Sequence, residues 1–119
     1  MAAEVALPYS EKNVMTYIDA IPYLFIQPKT EEQSRAVSDA VLQGYVNDVE
    51  TLKMIQTFVA CNLNISETAK ALHMHRNSLQ YRLDRLYENT GLDIRKFNHA
   101  MTMYLAILSN LIHDAQRSD

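Results

Sequence analysis

The amino-acid sequence predicts an all-α protein, a helical bundle of about five or six helices. Three observations predict this fold class. The chain of 119 residues has only two glycines and three prolines, and no proline follows residue 28. It has no Asn-Gly or Asp-Gly hairpin turn and no sustained alternation of apolar and polar residues. Apolar residues make up 48% of the chain, which is enough to build a packed core.

The composition also excludes several classes of protein. A single cysteine, Cys61, cannot form a disulfide framework or a Cys-rich zinc site. Rossmann and P-loop nucleotide sites need clustered glycines that this chain lacks. The longest apolar run, at residues 103–108, is far too short to span a membrane, and the start of the chain lacks the pattern of a signal peptide. We therefore expect a soluble, cytoplasmic protein without a cofactor.

Two helices are predicted in the first third of the chain. The first is expected over residues 11–21, with Ser10 as its N-cap. Pro22 should end it, because the residue before a proline avoids helical geometry. A second helix is predicted after Thr30, which has capping-box spacing to the glutamine three residues later, and Gly44 should weaken or end it. Its apolar side is predicted to comprise Val37, Ala40, Val41 and Tyr45.

A third helix is predicted over residues 49–60, followed by a turn at residues 62–64. The last helix is predicted over residues 97–115, and it is apolar nearly all round. Its wide apolar face, which leaves Ala106 and Ile107 on the far side, is predicted to comprise Phe97, Met101, Tyr104, Leu105, Leu108, Leu111 and Ile112. Because such a helix is usually buried, we expect a second subunit to cover part of it, which makes the protein a homodimer.

Residues 64–90 carry the most informative pattern, two helices joined by a tight turn. The second helix is predicted from about residue 76 to residue 90, and Gly91 suits the left-handed position after its end. The three-helix unit formed with the preceding helix should bury Leu52, Ile55, Phe58, Ala69, Leu72, Leu79, Leu83 and Leu86. This is the layout of a helix-turn-helix, whose second helix enters the major groove of DNA.

The polar residues of this segment suit DNA binding. The stretch from Lys70 to Arg85 carries four basic residues and one acidic residue, although the whole chain has a net charge of −3. On the second helix, Arg76 can pair with guanine, whereas Asn77 and Gln80 can pair with adenine. Near the start of the first helix, hydroxyl groups can hold a phosphate, and further basic residues add charge toward the DNA backbone. These phosphate-contact candidates are Ser66, Thr68, Lys70, Arg82 and Arg85.

The chain resembles the C-terminal helix-turn-helix of PucR/CdaR-type bacterial transcriptional regulators, which activate catabolic genes. The resemblance is carried by Asn64-Ile-Ser-Glu-Thr-Ala-Lys-Ala-Leu-His-Met-His-Arg-Asn-Ser-Leu-Gln-Tyr-Arg-Leu83 and Thr90-Gly91-Leu92-Asp93. It spans about residues 49–108, and a looser similarity extends to the factor for inversion stimulation, which usually has glycine at the position of His73. The resemblance implies that the groove-facing residues are His75, Arg76, Asn77, Gln80 and Tyr81.

The resemblance predicts two parts in the chain. Residues 48–119 would form the DNA-binding domain with its C-terminal packing helix, and residues 1–47 a helical extension. PucR-type regulators place this domain behind a large effector region, which residues 1–48 are too short to form. Either the chain is a C-terminal fragment, or it is a small protein that keeps only the DNA reader. The effector ligand is therefore not predicted.

The main alternative is a helical interaction or dimerisation module that binds protein and not DNA, which the acidic net charge favours. Catalysis is not expected, because no acid-base, nucleophilic or metal-ligating constellation is visible. His73 and His75 are two residues apart and do not share a helix face, so they do not form a metal site. We interpret the histidines as turn and surface residues. The predicted function is sequence-specific binding to double-stranded DNA, regulating transcription in the bacterial cytoplasm.

Overall fold

The structure is a computed structural model that describes residues 17–27 and 29–117. These residues form six α-helices and one 3-10 turn, at Gln43–Tyr45, and no strand occurs among them. The helices are α1 (Tyr17–Ile26), α2 (Glu31–Leu42), α3 (Val49–Ala60), α4 (Ile65–Ala71), α5 (Arg76–Thr90) and α6 (Phe97–Arg117). The prediction of an all-α fold is confirmed.

Helix α1 continues through Pro22, so the prediction that this proline ends the helix was wrong. Pro22 has no N–H group, and one intrahelical hydrogen bond is therefore missing. The helix persists because apolar residues on both sides of the proline pack against the core, namely Ile18, Ile21 and Phe25. Tertiary packing thus outweighs a local preference. The predicted start of this helix, including Ser10, lies outside the described residues.

Helix α2 begins with the predicted capping box. The Thr30 hydroxyl accepts a hydrogen bond from the Gln33 N–H at 3.1 Å, and the Gln33 side chain accepts one from the Thr30 N–H at 3.0 Å. The helix ends at Leu42, two residues before Gly44. On its predicted apolar side Val41 is buried, but Ala40 is exposed.

Helix α3 has the predicted bounds and supplies the centre of the core. Its N-cap is Asp48, whose carboxylate accepts hydrogen bonds from the backbone N–H and the hydroxyl of Thr51. Ile55 and Phe58 are fully buried, as predicted, and Met54 joins them. Of the predicted core residues, Leu52 and Leu72 are only partly buried, and the others are buried.

Helix α6 packs against the core with a side other than its wide apolar face. The apolar residues of α6 that are buried in the core are Ala100, Met103, Ala106 and Ile107. The predicted face instead leaves Phe97 68% exposed and Leu111 51% exposed. Helices α1, α2 and α3 all pack on α6, and small alanines let helix axes approach closely. An apolar face therefore remains uncovered on this helix in the described part of the chain.

Residues of the predicted N-terminal extension share the core with the predicted DNA-binding part. Ile21 of α1 and Val41 of α2 belong to the same buried cluster as Leu83 of α5 and Met103 of α6. The domain boundary at residues 47 and 48 stays a prediction.

Candidate nucleic-acid interface

Helices α4 and α5 are joined by a tight turn at residues 72–75. Helix α4 begins at Asn64, whose side chain accepts a hydrogen bond from the Glu67 N–H at 2.8 Å. The Met74 N–H donates to the Ala69 carbonyl at 3.0 Å, and Ala69 is buried where the helices meet. His73 adopts a left-handed φ of 55°. A position that needs positive φ is where glycine fits without strain, which explains why glycine is common there in the looser resemblance.

The rotation of α5 about its axis is fixed by its buried leucines. Leu79, Leu83 and Leu86 are buried in the core, as their spacing predicts. The helix ends at Gly91, which has a φ of 78° and donates its N–H to the Tyr87 carbonyl at 2.8 Å. With this side of α5 held inward, the opposite side lies at the protein surface.

The five predicted base-contact residues reach the protein surface at the beginning of α5. His75, Arg76 and Asn77 are exposed, Tyr81 is 62% exposed, and Gln80 is half-buried. His75 occupies the N-cap position, but its side chain makes no capping hydrogen bond. These residues therefore remain accessible to a ligand.

The structure separates Thr68 from the other predicted phosphate contacts. Ser66 and Lys70 are exposed on α4, and the Arg76 Nη1 atom lies 3.5 Å from the Ser66 hydroxyl. Thr68 is fully buried, and its hydroxyl donates to the Asn64 carbonyl at 2.7 Å. A buried hydroxyl that already has a partner cannot reach a phosphate, so the structure does not support Thr68 as a phosphate contact.

Arg82 and Arg85 are both exposed on α5, toward the side where α3 begins. Arg82 forms an ion pair with Glu50, with 3.8 Å between Nη1 and Oε2. Ion pairs between exposed side chains contribute little to stability, and Arg82 can exchange this carboxylate for another anion at low cost.

The loop between α5 and α6 contains an ionic cluster that the sequence analysis missed. Arg95 donates from Nε to the Asp93 carboxylate at 2.7 Å, and its Nη1 lies 2.8 Å from the Asp84 carboxylate on α5. The Asp93 N–H donates to Nδ1 of His99 at 2.9 Å. His99 is buried, so its interpretation as a surface or turn residue was wrong. Its imidazole can be buried because the Asp93 N–H satisfies the Nδ1 acceptor.

The ionisation of this cluster follows from its contacts. Burial by itself would raise the pKa of Asp93, but the hydrogen bonds from Arg95 and the charges of Arg95 and Lys96 lower that pKa below its usual value. The hydrogen bond to Asp93 raises the pKa of Arg95, against the effect of burial and together with the bond to Asp84. Arg95 therefore stays charged at every physiological pH.

Within the described residues, no group of three His, Cys, Asp or Glu side chains is placed to hold a metal ion. The helices of that part of the chain are also too short or too polar to cross a lipid bilayer.

The segment from α3 into α6 matches a known protein family. The PucR C-terminal helix-turn-helix domain family matches residues 51–109. These residues belong to that family. The predicted resemblance is thereby confirmed, and the family suggests a regulator and not an enzyme.

Several curated proteins are similar to this chain. The Bacillus subtilis protein YxkF, which is uncharacterized, is 34% identical over 108 residues, which cover 91% of this chain and 36% of YxkF. The carbohydrate diacid regulator of Escherichia coli is 46% identical over 46 residues, 39% of this chain and 12% of that protein. The Bacillus subtilis DNA-binding transcriptional activator AdeR is 25% identical over 101 residues, 83% of this chain and 23% of AdeR.

The chain spans little more than a third of YxkF and less of the other relatives. No solved structure matches the chain significantly. The family and the regulators among the relatives support a DNA-binding transcriptional regulator.

Proposed function

We propose that this PucR-type chain binds double-stranded DNA sequence-specifically, with α5 in the major groove. The observation that supports it most directly is the orientation of α5, whose leucines are buried while Arg76 and Asn77 are exposed and Gln80 is partly exposed. The proposed base contacts are His75, Arg76, Asn77, Gln80 and Tyr81. The proposed phosphate contacts are Ser66, Lys70, Arg82 and Arg85.

The names of the relatives support a more specific role. One is a carbohydrate diacid regulator, and another, AdeR, is named a DNA-binding transcriptional activator. We therefore propose that the chain activates catabolic genes in the bacterial cytoplasm.

DNA binding should depend steeply on salt concentration. Each phosphate neutralised by a basic residue releases counterions, and the slope of log affinity against log salt is about −0.9 per contact. Binding of the chain to a mixed-sequence duplex is measured by fluorescence anisotropy at several salt concentrations. Lys70→Glu should weaken binding, whereas Lys29→Glu, between α1 and α2, makes the same change in net charge and should not.

The competing function is that of a protein-interaction module, which the net charge of −3 favours. Absence of DNA binding at low salt would support this module. If Lys70→Glu and Lys29→Glu weaken DNA binding equally, then binding depends on the net charge of the protein and not on a defined DNA-binding surface.

We also propose that the chain forms a homodimer through the uncovered face of α6. Phe97, Met101 and Leu111 are exposed on this face, and Tyr104 and Leu108 lie between them, which gives spacings of four and three residues. This spacing produces the apolar seam on which two helices pack together. No charged residue occurs between residues 97 and 112, so a second copy of α6 buries no charge here. Two copies would also present two reading helices to one DNA site.

Charged substitutions in the apolar seam of α6 should dissociate the dimer. Sedimentation equilibrium of the wild-type chain should give twice the monomer mass of 13.7 kDa. The double variant Met101→Glu and Leu111→Glu should sediment as a monomer, because a dimer would bury unpaired carboxylates. Val49→Glu places a carboxylate on an exposed apolar position of α3, outside this face, and should leave the dimer intact. A wild-type chain that remains monomeric at high concentration contradicts the proposal.

A further inference from the structure

We propose that Arg95 is an additional DNA phosphate contact, supplied from the loop after α5 and not from the helix-turn-helix itself. This inference rests on the proposed DNA-binding function. It enlarges the surface that meets DNA beyond α4, the turn and α5.

The contact with Asp84 brings Arg95 to the side of α5 that carries Asn77 and Gln80. We call this side, which is proposed to face DNA, the reading side. Asp84 follows Asn77 by seven residues and Gln80 by four, so the three side chains lie on the same side of the helix. The Arg95 Nη1 atom lies 2.8 Å from the Asp84 carboxylate. Although Arg95 belongs to a different segment, its guanidinium therefore lies beside the surface proposed to face DNA.

The loop holds Arg95 in place before any ligand binds. Leu92 and Ile94, which flank Asp93 in the sequence, are buried in the core. The Asp93 carboxylate accepts hydrogen bonds from the backbone N–H of Arg95 at 3.1 Å and from its Nε at 2.7 Å. A preorganised side chain loses less conformational entropy on binding than a free one.

The charges around Arg95 suit a phosphate on the reading side. Asp84 would by itself repel the DNA backbone, since its side chain is 58% exposed on that side of α5. Arg95 and the neighbouring Lys96 together balance the charges of Asp84 and Asp93, and the Arg95 side chain remains 30% exposed. A guanidinium has five N–H groups, and the two carboxylates account for only part of them, so Arg95 can bind a phosphate while it keeps Asp93.

Three variants distinguish a phosphate contact by Arg95 from a salt bridge that only stabilises the loop. If Arg95 binds a phosphate, Arg95→Ala should weaken binding to a mixed-sequence duplex by roughly tenfold and reduce the salt slope by about 1. Arg95→Lys should retain most of the slope. Asp84→Asn removes a repulsive charge and should bind DNA at least as tightly as the wild type. If Arg95 only pins the loop, Asp84→Asn should weaken binding as Arg95→Ala does.

The test measures affinity against salt concentration for the wild type and these variants, with Lys29→Ala as the control for loss of one positive charge. Circular dichroism and thermal unfolding establish that each variant is folded. An unchanged slope in Arg95→Ala, or weaker binding by Asp84→Asn, overturns the proposal while the wild type still binds DNA. A wild type that does not bind DNA at low salt refutes the proposed function and, with it, the proposed role of Arg95.

Discussion

Replacing Leu79 by alanine is expected to lower the free energy of unfolding by about 2–5 kcal/mol. Leu79 lies on α5 and is fully buried in the core that α5 shares with α3 and α6. Removal of three carbon atoms loses their transfer free energy and leaves a cavity that the surrounding helices fill only in part. A domain of this size has a total stability of about 5–15 kcal/mol, so the loss is a large fraction of the whole.

Urea denaturation followed by circular dichroism measures this effect. Tyr81→Ala, two residues later on the same helix, is the matched control, because Tyr81 is 62% exposed. It should change the free energy of unfolding by less than about 0.5 kcal/mol, as is usual for surface positions. Equal stability losses in the two variants would mean that α5 is rotated about its axis relative to the structure. The reading face proposed here would then be wrong as well.

Features of the fold that depend on neighbouring residues were predictable from the sequence. The capping box at Thr30, the bounds of α3 and the end of α5 at Gly91 each depend on a few adjacent residues. The leucine spacing on α5 was equally decisive, because that helix is polar on its other side and only one orientation buries the leucines.

The orientation of α6 was not predictable for the opposite reason. This helix is apolar on both sides, so periodicity alone does not show which side packs against the rest of the chain. The wider apolar stripe contains Phe97 and Leu111, whereas the helices that pack on α6 contact the side with Ala100 and Ala106. Close helix packing favours these small residues, and that requirement becomes visible only when the partner helices are known.

The cluster around Arg95 shows the same limit at the candidate site. The cluster joins residues from two helices and the loop between them, namely Asp84, Asp93 and His99. No local sequence motif indicates these contacts. The aspartate two residues before Arg95 was the only signal in the sequence, and by itself it does not point to α5. The base-contact candidates, in contrast, follow from one helix and its buried stripe.

Arg76→Ala is expected to weaken binding to a preferred DNA site by about 1–3 kcal/mol and to relax the preference at one base pair. Arg76 is the first residue of α5 and is exposed, and a bidentate contact with guanine would lose both hydrogen bonds in the variant. Selection from a random duplex pool first identifies a preferred site for the wild type. Affinities of the variant are then measured for that site and for its single-base changes.

Arg82→Ala separates base reading from phosphate binding in the same assay. Arg82 lies on another side of α5, beside Glu50, and a phosphate contact there should weaken binding about equally on every sequence. The contrast matters because Arg76 also lies 3.5 Å from the Ser66 hydroxyl, a proposed phosphate contact. If Arg76→Ala weakens binding uniformly, as expected for Arg82→Ala, then Arg76 binds the backbone together with Ser66. Sequence discrimination would then depend on Asn77 and Gln80, which lie further along the helix.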